Sequence, residues 1–509
     1  MTLKPQTIQF KRINYTDKKV QETFSFGSDT YDEFKIINKN REKIKNLIPT
    51  CGFGNHACPY QKGEEIGSEN YVQESEKKFL RTRATPADFL LLDTTDPEAS
   101  TPMVPKMFVD QQLKKGTILT VKDSNIGEIS YLDKDYDNHM MAAGYVRFVL
   151  RKDEFYTLAF LKNSFFREQL DALVPTGGSS LRHAGMKFLE CEIPFPNKNK
   201  QECMKFVEEL SKGVLRRELQ IRKNYEKMNE KFEEIILKKE NQKSKKFVYA
   251  LPKFSDYKEN DRMDSGPYQE QFKYCIFLIE NFKDGYEKIP PEEIKSGTTN
   301  DVHIGHGKIN WITPDFFDEQ GYRKIKENCH KDNPNIEKSS LIIKNRTNKG
   351  LLGEHAGTAL FYDFEKLGKG QHSQGCYRVE NENYCKRDLK FFTVCLNTRI
   401  YRQICRYLTL GSKMPELKVD QISQIPFIKI KAEDRAKLIK TYDKKCKRYE
   451  KEIEIIDFEK VDDENLDKLG IFQLEEQFDF LKEILDYCVL QIRNDEELED
   501  IELDKINFN

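Results

Sequence analysis

Hydrogen-bond donors collect in four short loops of this chain. The first loop, Lys122-Asp123-Ser124-Asn125-Ile126-Gly127, offers Lys122, Ser124 and Asn125. The second, Pro175-Thr176-Gly177-Gly178-Ser179-Ser180-Leu181-Arg182-His183, offers Ser179, Ser180, Arg182 and His183. In the later half, Lys344, Asn345, Arg346, Asn348 and Lys349 share one loop, and Ser412 and Lys413 share another. Arg and Lys suit guanine edges, Asn and Gln suit adenine, and Ser, Thr and backbone amides suit phosphate. The plain alternative is that loops are polar because they are loops. A further basic run spans Lys386 to Lys413, and Arg399, Arg402 and Arg406 fall at helical steps of three and four. One helix face could therefore grip phosphate, or simply be solvated.

Residue patterns for bond-making chemistry are missing. An amino-group methyltransferase carries an Asn/Asp-Pro-Pro-aromatic loop, and here Asn333-Pro334-Asn335 is the nearest approach. A metal-dependent nuclease of the common type needs Pro-Asp followed by Glu-x-Lys, because carboxylates must hold the metal. Pro314-Asp315 has no such partner downstream. No GxxxxGK[ST] loop is present for ATP. Cys51, His56 and Cys58 lie close together but lack a fourth ligand at zinc-site spacing, so an ordinary loop is expected. The sequence points to binding rather than catalysis, with no catalytic, cofactor or metal residue assigned.

The elements that would position these loops repeat. In the first half, expected strands cover Phe79–Thr82, Asp88–Asp93 and Tyr145–Leu150, a turn and strand cover Leu113–Val121, and a helix covers Phe155–Leu173. A helical run is expected at Tyr31–Leu47. The order recurs with strands at Lys308–Thr313, Ser340–Ile343 and Cys376–Val379, and a helix over Leu389–Leu408. Trp311, which could stack on a base, reads better as core. Each half leaves through Ile-Pro-Phe, at Ile193-Pro194-Phe195 and Ile425-Pro426-Phe427, into a heptad-like stretch. From Lys198 to Lys246 the seam is Val207, Leu210, Val214, Ile221, Tyr225, Met228, Phe232 and Ile235, with a skipped turn at Arg217 and Glu218. A second seam holds Ile439, Tyr442, Cys446, Tyr449, Ile453 and Ile456. It breaks at Asp457–Gly470 and resumes over Ile471, Leu474, Phe478, Leu481, Leu485, Cys488 and Ile492. Two such rods can bury each other as an antiparallel pair.

The fold class expected is α+β: two similar α/β domains separated by two long antiparallel, coiled-coil-like helical spacers. The boundaries are 1–197 for the first domain, 198–246 for the central spacer, 247–430 for the second domain, 431–494 for the C-terminal spacer and 495–509 for an acidic tail. A net charge of −1 gives no global attraction to nucleic acid, so any basic surface is local. The twelve cysteines are scattered, which suits reduced thiols in a cytoplasmic protein. No apolar run reaches the length of a membrane span, and no signal peptide is read.

The order of motifs resembles the specificity subunit of type I restriction-modification systems. Lys115-Gly116-Thr117-Ile118-Leu119-Thr120 through Gly127, the Phe155–Phe166 helix, Gly178-Ser179-Ser180-Leu181-Arg182-His183 and Ile193-Pro194-Phe195-Pro196 carry the likeness, with a looser copy over 305–456. Phe427 is followed by Ile428 where the family has proline. The resemblance implies a DNA-binding, non-catalytic subunit of a phage-defence complex, whose two target-recognition domains each read half of a bipartite site in double-stranded DNA. It further implies two methyltransferase subunits that bind S-adenosylmethionine, docked on the helices, and ATP- and Mg-using motor-nuclease subunits. A specificity module of a related methyltransferase system, type II-like or otherwise phage-defensive, a fused restriction/modification enzyme and a coiled-coil scaffold are the alternatives.

Overall fold

The computed structural model describes residues 34–49, 59–72, 74–87, 89–94, 99–123, 125–174, 183–238, 254–255, 264, 266–298, 304–314, 327–329, 334–346, 356–380, 384–410, 416–443, 466–496 and 498. Contacts divide the chain into two units, Met1–Glu218 with Phe480–Asn509, and Leu219–Asp479.

The first unit holds nine described strands: β1 (Arg41–Lys43), β2 (Tyr60–Lys62), β3 (Lys78–Leu80), β4 (Ser100–Pro102), β5 (Ile118–Val121), β6 (Ile129–Tyr131), β7 (His139–Met141), β8 (Tyr145–Phe148) and β9 (Glu192–Pro194). They form an antiparallel sheet of order β2-β8-β5-β6, a three-stranded sheet β4-β3-β7 and the pair β1-β9. Within the second sheet β3 runs parallel to β7 and antiparallel to β4. Every residue of β5 and β8 is buried, which is why these strands are continuous apolar runs broken only by Thr120 and Arg147. Phe79, Leu80, Leu119, Val121, Met141 and Tyr145 share one core. Each such side chain contributes roughly 1.5–3 kcal/mol by leaving water.

The helical segment after β8 is two helices, α1 (Glu154–Lys162) and α2 (Ser164–Leu173). The expected single helix breaks at Asn163, whose side chain caps α2 by accepting from the Phe165 amide. Tyr31–Leu47 is not a helix within the described residues. Arg41–Lys43 pairs with Glu192–Pro194, and only a turn of helix, Ile44–Leu47, follows. Helix α3 (Lys200–Leu237) is the long one. Its last turns fall short of Lys246, and 239–246 lie outside the described residues.

Helix α3 buries more than a seam. Val207, Leu210, Ile221, Met228 and Phe232 are buried, and so are Ser211, Arg217, Glu218, Asn224 and Asn229. Ile236 rather than Ile235 completes the apolar row. In the first unit the Glu218 carboxylate is fully buried and accepts the amides of Leu90 (2.8 Å) and Leu91 (2.9 Å). That explains why the described part of the expected Asp88–Asp93 strand, residues 89–93, is no strand. Leu91 makes a single bridge to Tyr131, while the helix takes the amides a neighbouring strand would have used.

The second unit repeats the plan strand for strand. β10 (Tyr286–Glu287), β11 (Ile294–Ser296), β12 (Ile304–Ile312), β13 (Glu327–Cys329), β14 (Ser340–Lys344), β15 (Ala359–Tyr362), β16 (Gly370–His372), β17 (Cys376–Val379) and β18 (Phe427–Ile428) take the places of β1 to β9. The sheets are β11-β17-β14-β15, β13-β12-β16 and β10-β18. Helix α4 (Glu270–Glu280) precedes them. Trp311 is buried, as the core reading expected. The Leu389–Leu408 segment again breaks in two, into α5 (Lys386–Asn397) and α6 (Arg399–Leu408), at Thr398. Two polar residues of α3 serve that break: Asn229 accepts from the Arg399 amide (2.8 Å) and the Tyr225 hydroxyl donates to the Asn397 carbonyl (2.8 Å).

Helix α7 (Ala432–Tyr442) buries Leu438, Ile439 and Tyr442; Cys446, Tyr449, Ile453 and Ile456 lie outside the described residues. The resumed seam is α8 (Ile471–Arg493). Both Ile-Pro-Phe exits are tied down by a tyrosine. Tyr156 donates to the Pro194 carbonyl (2.6 Å) and stacks on Phe195, and Tyr401 donates to the Pro426 carbonyl (2.9 Å) and stacks on Phe427. No described helix is long and apolar enough to cross a membrane.

Candidate nucleic-acid interface

In the first unit, β5 ends at Val121 and the chain enters the Lys122–Gly127 loop. The Lys122 amide donates to the Gly144 carbonyl (2.8 Å), and its carbonyl accepts from the Ala184 amide (2.7 Å). Asp123 and His183 then form an isolated antiparallel bridge. The loop closes at Gly127, whose amide returns to the Val121 carbonyl (2.9 Å). Gly127 has φ +82°, and a Cβ there would sit 3.0 Å from Arg167 and Leu170 of α2, so glycine is needed.

The second unit builds the same clamp. The Asn345 amide donates to the Gly375 carbonyl (3.0 Å), its carbonyl accepts from the Leu417 amide (2.7 Å), and Arg346 bridges Glu416. Gly357, at φ +87°, returns its amide to the Lys344 carbonyl (2.7 Å) and would bring a Cβ within 2.4 Å of Cys405 in α6. Matched in this way, Lys122 corresponds to Asn345, Asp123 to Arg346, His183 to Glu416 and Gly127 to Gly357. The second loop is the longer of the two.

Each clamp thus joins two loops that are distant in sequence. The strand supplies one side, the segment following the helix pair supplies the other, and one bridge holds them edge to edge. The side chains at the bridge differ between units. In the first, Asp123 accepts from Lys122 Nζ (2.7 Å) and pairs with His183 Nδ1 (2.8 Å). Partial burial opposes ionisation of Asp123, but these two hydrogen bonds outweigh it and hold the carboxyl below its ordinary range. In the second, an arginine and a glutamate stand at the same two places.

The expected donors separate into groups. Asn125 is exposed, His183 is largely exposed, and Arg346 is half-buried at its bridge. Lys122 is committed to Asp123. Lys344 is not a loop residue: it ends β14 and is buried. Asn345 is buried too, and its side-chain Nδ2 donates to the Gln374 carbonyl (2.7 Å). Ser124, Ser179, Ser180, Arg182, Asn348, Lys349, Ser412 and Lys413 lie outside the described residues, as do Cys51, His56 and Cys58.

The arginine face of α6 is spent largely on the chain itself. Arg399 gives Nη1 to Glu226 (2.9 Å) and Nε to Glu233 (3.1 Å), both on α3. Arg402 donates to Thr358 and to Asn397 (3.3 Å), behind the clamp. Arg406 lies within 6.0 Å of the Tyr407 ring. Two of the three guanidinium groups thus already hold protein acceptors at some of their donors.

Glu416, Gly357 and Glu218 were missed in the sequence. Glu218 had a signal, the skipped turn in the seam. Gly357 and Glu416 had only their register relative to Gly127 and His183, which becomes visible once the strands are paired.

Among solved structures, the chain is similar to the S subunit of a type I restriction-modification system from M. genitalium, at 15% identity, over 91% of this chain and 98% of that one, with a TM-score of 0.38. A structure concerned with complex assembly and conformational transition of the type I R-M system aligns over 91% of this chain and 99% of that one, at 9% identity and a TM-score of 0.27. The HsdS subunit from Thermoanaerobacter tengcongensis aligns over 89% and 96%, again at 9% identity and a TM-score of 0.27. No protein-family model matches the chain, and no curated protein matches it.

Proposed function

We propose that the chain is a non-catalytic DNA-specificity subunit of a type I restriction-modification complex, with each unit reading one half of a bipartite duplex site. The observation that carries this reading is the duplicated clamp. Backbone geometry is the same in both units, at Lys122–Ala184 and Asn345–Leu417, while the bridge residues change from Asp and His to Arg and Glu. A scaffold has no need of matched loop pairs. A reader of two unlike half-sites needs a constant frame and variable edge chemistry.

The helices then serve as docking surfaces for two methyltransferase subunits, which bind S-adenosylmethionine. Motor-nuclease subunits supply ATP- and Mg-dependent steps, and the complex works in the cytoplasm. Near-neutral overall charge fits a subunit whose partners share the grip on phosphate. The test is a gel-shift of the chain with and without its co-expressed methyltransferase, beside a methylation assay on each. The account expects no methyl transfer by the chain alone, and sequence-specific binding and methylation by the complex. Methyl transfer by the purified chain alone contradicts it.

A further inference from the structure

We propose that His183 is a base-reading residue of the first unit and that it presents a hydrogen-bond acceptor, selecting a base with an exocyclic amino group at its major-groove edge, adenine or cytosine. This rests on the reading of the chain as a DNA-specificity subunit. His183 Nδ1 lies 2.8 Å from Asp123 Oδ1. An ionised carboxylate can only accept, so Nδ1 carries the proton. The carboxylate's counter-charge comes from the Lys122 ammonium, 2.7 Å from its other oxygen. In the neutral ring the proton on Nδ1 leaves a lone pair on Nε2. The His183 side chain is 66% exposed, and among the described residues Nε2 has no partner. A lone pair on an exposed ring held by its other nitrogen matches the N6 amino group of adenine or the N4 amino group of cytosine. Guanine and thymine offer acceptors at the corresponding place.

The backbone bridge between Asp123 and His183 sets the position of this lone pair, and the carboxylate sets its tautomer. Asp123 is therefore a positioning residue. At the matched bridge of the second unit stand Arg346 and Glu416, so the same frame there carries different edge chemistry.

The test uses the full complex, co-expressed with its methyltransferase in cells that lack other DNA methylation, and single-molecule sequencing of methylated sites. His183→Ala should relax one position of one half-site, formerly adenine or cytosine, with the other half-site retained. Asp123→Asn replaces an obligate acceptor by a group that can also donate, so the same position should begin to admit guanine or thymine. On duplexes varied at that position, discrimination by the purified His183→Ala complex should fall about tenfold or more. Relaxation at a position that specified guanine or thymine overturns the proposal, as does an unchanged motif in both variants. If His183→Ala methylates nothing, the duplex titration decides: even weakening over all bases at every position makes His183 a backbone or structural contact and overturns it. A wild-type complex with no bipartite motif defeats the underlying reading; a wild-type bipartite motif untouched by either variant defeats this proposal alone.

Discussion

At the scale of single residues, position in the clamp matters more than residue type. Arg346 sits at the bridge of the second clamp, half-buried, and we propose that it meets a base. Arg346→Ala should cost about 1–3 kcal/mol and relax one position if the residue reads guanine. Methylome mapping of the variant complex checks this, and even weakening across sequences would assign Arg346 to phosphate. Glu154 gives a second residue-level prediction. Burial, and then the Glu208 carboxylate, push its carboxyl up to about 7 from 4.5. Between those values the unfolded chain has lost a proton that the folded chain keeps. Stability therefore falls as pH rises from 4.5 to about 7 and levels off above. Allowing for partial exposure, the loss is on the order of 2 kcal/mol. Urea melts of Glu154→Gln at acid and neutral pH should lack that share of the decline. Residue roles were the least legible part of the sequence. Arg399 and Arg402 have the right spacing for a phosphate face, yet spacing cannot show that Glu226, Glu233 and Thr358 receive them first. Conversely, the polar pair Arg217 and Glu218 interrupts an apolar seam, and that interruption marks where the helix receives two backbone amides.

At the scale of elements, the repeat was legible and its breaks were not. The strands at Ile118–Val121, Ser340–Ile343 and Cys376–Val379 stand out because their residues are mostly apolar and, Arg378 apart, buried. Asp88–Asp93 looks the same by composition, but its pairing partner is a helix carboxylate, which no local pattern encodes. The helix pairs read as single helices because Asn163 and Thr398 are tolerated within a helical run, and their capping geometry is set by partners elsewhere in the unit. The clamp glycines carry the element-level prediction. Gly357→Ala places a Cβ 2.4 Å from Cys405 Sγ at φ +87°, and should destabilise the second unit by about 2–4 kcal/mol. Gly127→Ala meets the flexible Arg167 and Leu170 side chains at 3.0 Å and should cost less, about 1–2 kcal/mol. Urea unfolding of each variant, followed by protection of each unit from proteolysis, measures the two losses separately.

At the scale of the whole molecule, two clamps of one design occur on one chain, and helix α3 runs without interruption from Lys200 to Leu237. We propose that this helix sets the gap between the half-sites. Inserting four helix-forming residues after Glu230 adds about 6 Å and rotates the buried face by roughly 40°. The unspecified gap should lengthen by about one or two base pairs with both half-site sequences kept. An active complex that keeps the original gap removes the helix from that role. The central claim, that one chain reads two half-sites through two matched clamps, is tested most directly by one measurement. The chain is expressed with its methyltransferase in cells free of other DNA methylation, and every methylated site is sequenced. The account predicts a single bipartite motif, two unlike specified segments separated by a fixed unspecified gap, which disappears when this chain is omitted. A continuous motif, or the same methylation without this chain, contradicts it.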